Sequence, residues 1–155
     1  MTTTEAVRDD ELLIERIFDA PRELVFRVWT TPEHLMRWWG PKDYRTIAYE
    51  MDFRPGGAYR SCIEAPDGTR SWMSGVYQEI VAPERIVMTF GWDADRILGV
   101  ENIVTVTFVA TAGGRTLFRF HQTPFGSVSA RDSHFGGWNE LLDRLGVYLN
   151  EESVR

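Results

Sequence analysis

The feature that most constrains this chain is the segment at residues 129–150, whose periodicity predicts a helix long enough to cover a sheet. Phe135, Trp138, Leu141, Leu142, Leu145, Tyr148 and Leu149 recur at spacings of three and four, which places them on one broad apolar stripe. Asn139, Glu140, Asp143 and Arg144 fall on the other face. Ser129 followed by Asp132 has the spacing of a capping box and offers an acceptor to the unpaired N–H groups of a first turn. The helix is therefore predicted to begin at Ser129 and to fray from Glu151 onward. Gly136 and Gly137 each cost about 1 kcal/mol relative to alanine inside a helix. Their presence predicts either a closely packed neighbour or a bend.

A stripe this wide needs an apolar surface to cover, and the preceding residues supply one. Residues 11–19 alternate as a strand, with Leu12, Ile14, Arg16 and Phe18 on one parity. Ala20-Pro21 ends it and opens a short helix carrying Leu24, Val25, Val28 and Trp29. Thr31-Pro32 opens a second, with Leu35, Trp38 and Trp39 inward, and Gly40-Pro41 stops it. From Tyr44 on, turns at Pro55-Gly56-Gly57, Pro66-Asp67-Gly68, Pro83-Glu84 and Gly113-Gly114 punctuate predicted strands at 46–53, 58–64, 72–81, 86–92, 103–110 and 115–122. With the first, these make seven, and their short connections require antiparallel neighbours.

Parity identifies the buried face. Ile86, Met88, Phe90 and Trp92 share one parity, as do Val104, Val106 and Phe108, and Phe118 and Phe120. Residues 72–81 mix large and polar side chains on both parities and give no orientation. The predicted fold class is α+β: a seven-stranded antiparallel sheet with two short helices after the first strand and the terminal helix on its apolar face.

At 155 residues the chain suits one domain, residues 1–155, with 1–9 and 151–155 expected to be flexible. Nine phenylalanines, six tryptophans and five tyrosines argue for a packed core. The net charge of −6, with no basic block, argues against nucleic acid and anionic membrane surfaces as partners. No apolar run approaches the roughly 20 residues of a membrane-inserting helix. A lone cysteine and a polar N-terminus without a signal-peptide core point to a cytoplasmic setting.

Few residues suggest chemistry. His34, His121 and His134 include no pair at helical metal spacing, and one cysteine excludes a thiolate zinc site, so neither metal nor cofactor is expected. Cys62 reads as a small buried hydrophobe. His34 and His121 fall on polar faces. His134, near the glycine pair, either caps the surface or reaches a cavity mouth. Trp38 and Trp39 either plug the end of the sheet or form a lid, since adjacent helical residues point about 100° apart. Gln122 shares parity with Phe118 and Phe120, which directs a polar group inward.

Several phrases in order carry a resemblance: Ala20-Pro21 with Val25-Phe26 and Trp29, Thr31-Pro32-Glu33, Trp38-Trp39-Gly40-Pro41, Asp52-Phe53-Arg54-Pro55-Gly56-Gly57, Pro83-Glu84-Arg85-Ile86 and Gly136-Gly137-Trp138. The chain resembles the helix-grip proteins of the START/Bet v 1-like (SRPBCC) superfamily. More narrowly it is similar to the family named for the activator of Hsp90 ATPase homologue 1. The resemblance implies a curved sheet gripping the terminal helix, with an elongated cavity between them that takes apolar small molecules. Superfamily relatives include cyclases, dehydratases and lipid carriers, and the fold alone does not choose among them.

The expected function is binding of a small apolar or amphipathic ligand without catalysis. The alternatives are an enzyme of cyclase, dehydratase or hydrolase type using the same cavity, and a chaperone-associated module with an Hsp90-type partner. Against the last, the sequence has no match to the extra N-terminal domain of the eukaryotic co-chaperone. Joining the aromatic strand face, Trp138 and the implied gap, the expected wall is Trp38, Trp39, Met88, Phe90, Trp92, Val106, Phe108, Phe118, Phe120, Gln122, His134, Trp138 and Leu142.

Overall fold

The computed structural model describes residues 3–4, 8–96 and 101–153. Its strands are β1 (Thr3–Thr4), β2 (Leu12–Phe18), β3 (Arg45–Met51), β4 (Ala58–Glu64), β5 (Arg70–Val81), β6 (Arg85–Trp92), β7 (Asn102–Thr111) and β8 (Arg115–Thr123). Its helices are α1 (Arg22–Thr30), α2 (Pro32–Trp38), α3 (Asp93–Arg96) and α4 (Val128–Ser153). The strands form one curved antiparallel sheet in the order β1-β2-β8-β7-β6-β5-β4-β3. The seven predicted strands are present, and the two-residue β1 extends the edge beside Ile14 and Glu15. Helices α1 and α2 carry the chain from β2 to β3, at the opposite edge, and from there the chain meanders back until β8 pairs with β2.

Alternation decides what faces α4. Leu12, Ile14 and Phe18 of β2, Ile86, Met88 and Phe90 of β6, Val104, Val106 and Phe108 of β7, and Phe118 and Phe120 of β8 are all buried. Against them lie Trp138, Leu141, Leu142, Leu145, Tyr148 and Leu149 of α4, also buried. Arg16 keeps the inward parity of β2 and reaches the helix, where Nη1 donates to Asp143 Oδ1 at 2.8 Å and Nη2 to Asn139 Oδ1 at 2.9 Å.

The strand that gave no orientation contains a bulge: Tyr77 pairs with Met88, but Glu79 pairs with Val87. The inner face therefore carries Met73, Gly75 and Tyr77 before the bulge, and Ile80, opposite Ile86, after it. Trp72 lies outside with the Arg60 guanidinium 3.8 Å above its ring. Gly75 is required, because a Cβ there would stand 1.9 Å from the Thr89 carbonyl oxygen and 2.7 Å from Tyr59 Cε1.

The start of α4 departs from the sequence reading. Ser127, not Ser129, caps it: its Oγ accepts from the Ala130 N–H at 3.0 Å, and Arg131 N–H bonds its carbonyl. Both serines precede suitable residues, and the turn after Pro124 places the earlier one at the first free N–H groups. The helix runs unbroken through Gly136 and Gly137 to Ser153. Of the termini expected to be flexible, residues 1–2, 5–7 and 154–155 lie outside the described residues. Among the described residues, no helix is long and apolar enough to cross a membrane.

Candidate ligand cavity

Between α4 and the β4–β6 half of the sheet lies a cavity of about 320 Å³, partly open to solvent. Its inner wall is Trp39, Ile63, Met73, Phe90, Trp138 and Leu141, all buried. Its rim is Pro41, Tyr44, Ser71, Trp92, Ser133, His134 and Gly137, with Gly40 between rim and floor. Strands β4, β5 and β6 place Ile63, Met73 and Phe90 on the inner parity. Ser133, Gly137 and Leu141 are spaced by four on α4 and so form one row. The two small residues of that row leave room where the other half of the sheet is filled by rings. There, Trp29 stacks on Phe118 at 5.5 Å and Phe108 meets Phe118 edge-on at 5.6 Å.

A buried polar chain holds the back wall. Trp138 Nε1 donates to Gln122 Oε1 at 2.7 Å, Gln122 Nε2 donates to Asn102 Oδ1 at 3.0 Å, and Asn102 Nδ2 donates to the Pro124 carbonyl. An indole N–H can only donate and a carbonyl can only accept, so both amide orientations are fixed by the ends of the chain. The Trp138 ring is thereby set 4.4 Å from Phe120, 5.4 Å from Phe90 and 5.7 Å from Trp39.

At the rim, Trp92 Nε1 donates to His134 Nε2 at 3.1 Å, and His134 Nδ1 lies 2.9 Å from the Ala130 carbonyl. The carbonyl must accept and the indole must donate, so His134 is the neutral tautomer with its proton on Nδ1. Both ring nitrogens are engaged.

The segment between α2 and β3 forms the third side. Gly40 has φ +99°, which favours glycine, and Asp43 has φ +68°. Arg144 of α4 anchors the turn: its Nη1 stands 3.2, 3.0, 3.1 and 2.9 Å from the carbonyl oxygens of Trp39, Gly40, Pro41 and Tyr44. Burial lowers the pKa of this guanidinium, and the nearby Asp43 charge opposes that shift.

Of the expected wall residues, Trp39, Phe90, Trp92, His134 and Trp138 line this cavity together. Trp38 turns away, packs on Trp29 at 5.1 Å and donates Nε1 to the Val28 carbonyl at 3.1 Å. Met88, Val106, Phe108, Phe118, Phe120 and Leu142 belong to the packed core, and Gln122 stands behind Trp138. Gly40, Pro41, Tyr44, Ile63, Ser71, Met73, Ser133, Gly137 and Leu141 complete the lining and are not among the expected wall residues. The row of Ser133 and Gly137 is a usable signal, whereas Ser71 precedes the predicted strand at 72–81 and Met73 lies in the strand whose bulge leaves its parity unreadable.

The remaining candidates lie elsewhere. His34 is half-buried with Nδ1 2.5 Å from the Tyr148 hydroxyl, and His121 lies 3.7 Å from Glu11. Cys62 is buried, and burial raises its thiol pKa. Tyr49 and Tyr77 are buried beside each other, and burial raises both phenol pKa values. Among the described residues, no three His, Cys, Asp or Glu gather as a metal would need.

The match to known families follows this architecture: the family described as Activator of Hsp90 ATPase homolog 1-like protein matches residues 19–150. The chain belongs to that family. Among solved structures, a protein from Chromobacterium violaceum is 28% identical, with a TM-score of 0.83 over 92% of this chain and 98% of its own. The AHSA1 protein from Silicibacter pomeroyi is 27% identical, with a TM-score of 0.79 over 92% of this chain and 99% of its own. A protein from Rhizobium leguminosarum is 28% identical, with a TM-score of 0.74 over 97% of this chain and 99% of its own. No curated protein matches the chain. The family's helix-grip fold is one that supports ligand binding.

Proposed function

We propose that this member of the family binds a small apolar or amphipathic molecule in the cavity beneath α4, without transforming it. The observation that carries the reading is the wall itself: about 320 Å³ enclosed largely by tryptophan, phenylalanine and aliphatic side chains. That size is at the small end of the roughly 300–1,000 Å³ range of ligand pockets, and such pockets are mostly apolar with a few placed polar groups. Binding rather than turnover is supported by His134, the imidazole of the wall, whose nitrogens are both occupied. The reading sets the protein in the cytoplasm, which suits a buried free thiol, and requires no chaperone partner.

The test uses the neutral fluorescent probe N-phenyl-1-naphthylamine with the wild type and Gly137→Leu. A side chain at Gly137 projects toward Pro41, whose Cγ lies 4.0 Å from an ideal Cβ, so leucine fills the space. Wild type is expected to enhance the probe's emission at micromolar concentration, and the folded variant is expected to lose most of that response. Equal binding by both, or none by wild type below the millimolar range, would reject the reading.

A further inference from the structure

Resting on the cavity being a ligand site, we infer that its ligand is an uncharged aromatic molecule whose one hydroxyl-type polar end sits at the mouth, and that carboxylates are excluded. Three observations lead there. First, among the described residues no Asp, Glu, Lys or Arg side chain lines the cavity. Arg144 touches the wall segment, yet its Nη1 faces four backbone carbonyls of that segment. A carboxylate drawn inside would lose its water shell and gain no cation, which is among the most unfavourable transfers a pocket can demand.

Second, His134 does not supply the missing charge. Its Nε2 accepts from Trp92 and its Nδ1 donates to Ala130, so a proton added at Nε2 would face an indole N–H.

Third, the polar groups are at one end. Tyr44, Ser71 and Ser133 bring hydroxyls to the rim from the α2–β3 turn, β5 and α4, and among the described residues none of these hydroxyls has a protein hydrogen bond. The floor, by contrast, is Trp39, Met73, Phe90 and Trp138; the Trp138 N–H is committed to Gln122, and the Trp39 N–H, though without a hydrogen-bond partner, is buried and not accessible from the cavity. Hydroxyls both donate and accept, so they match a neutral hydroxyl in either sense. A flat ring fits between faces that are themselves rings.

The experiment compares naphthalene, 2-naphthol and 2-naphthoate, which share one body, by calorimetry or tryptophan quenching at pH 7, where the naphthol is neutral and the naphthoate ionised. The expected order is naphthol, then naphthalene, then naphthoate, with at least a tenfold gap between naphthol and naphthoate. Tyr44→Phe combined with Ser71→Ala and Ser133→Ala should reduce the naphthol affinity to that of naphthalene and leave naphthalene unchanged. Naphthoate binding as tightly as naphthol would overturn the inference. Naphthalene and naphthol binding equally to wild type would refute the role of the mouth while the cavity reading stands. Failure of all three to bind would remove the ligand site itself, and this inference with it.

Discussion

The two adjacent glycines of α4 make a sharp test, because the structure assigns them different surroundings one residue apart. A Cβ built at Gly136 meets nothing within 4 Å, whereas one at Gly137 meets Pro41 Cγ at 4.0 Å, an ordinary contact, on the cavity wall. Replacing either with alanine restores helix propensity, worth about 0.5–1 kcal/mol. For a chain of this size that corresponds to a rise in Tm of roughly 1–4 °C. Neither methyl comes nearer to a neighbour than ordinary van der Waals contact, so both gains should survive. The variants should then part in binding: Gly136→Ala leaves the affinity for a neutral aromatic probe unchanged, while Gly137→Ala puts a methyl into the space the probe occupies and weakens it severalfold. Differential scanning calorimetry and probe titration on the same samples check both halves. If Gly136→Ala lowers Tm, α4 is bent or packed differently at that turn. If the two variants change binding alike, the cavity does not lie along the Ser133, Gly137 and Leu141 row.

Gln122→Leu should destabilise by about 1–3 kcal/mol in urea unfolding, because it strands the Trp138 and Asn102 donors and acceptors inside the core. Arg144→Met should loosen the turn at residues 39–44, read as faster amide exchange at Tyr44, whose N–H bonds the Pro41 carbonyl at 3.1 Å. Stability should fall as pH rises above about 10: unfolded tyrosines release protons near the ordinary value of 10.0, while burial holds Tyr49 and Tyr77 protonated, so the folded state binds more protons there. Chemical denaturation at pH 9, 10 and 11 measures this, and Tyr49→Phe should flatten the slope.

How much of this was legible varied along the chain for physical reasons. Strands with one buried face declare themselves, so β6, β7 and β8 could be oriented from parity alone. β5 could not, because its bulge switches parity midway and Trp72, a large ring, lies on the outer face. The cavity wall was harder still. Phe118 and Phe90 share the same inward parity, yet one is packed under Trp29 and the other borders open space. What separates them is what lies opposite: Trp29 of α1 covers Phe118, whereas Phe90 faces the space left by Ser133 and Gly137 of α4. That is a matter of how α1 and α4 are placed along the sheet, which no single-strand pattern encodes. Gln122 shows the same limit: its inward direction was readable, but its partner Trp138, 16 positions away, was not.

The central claim is that a ligand enters between α4 and the β4–β6 strands, and the six tryptophans report on it directly. Trp39, Trp92 and Trp138 line the cavity, whereas Trp29 and Trp38 lie behind the wall and Trp72 lies on the outer face of the sheet. The protein labelled with 5-fluorotryptophan, with resonances assigned by single Trp→Phe variants, would be titrated with 2-naphthol and followed by fluorine NMR. The account predicts that the resonances of Trp39, Trp92 and Trp138 shift most and saturate together, with Trp72 unmoved. No saturable shift in those three, or the largest response at Trp72, would contradict it.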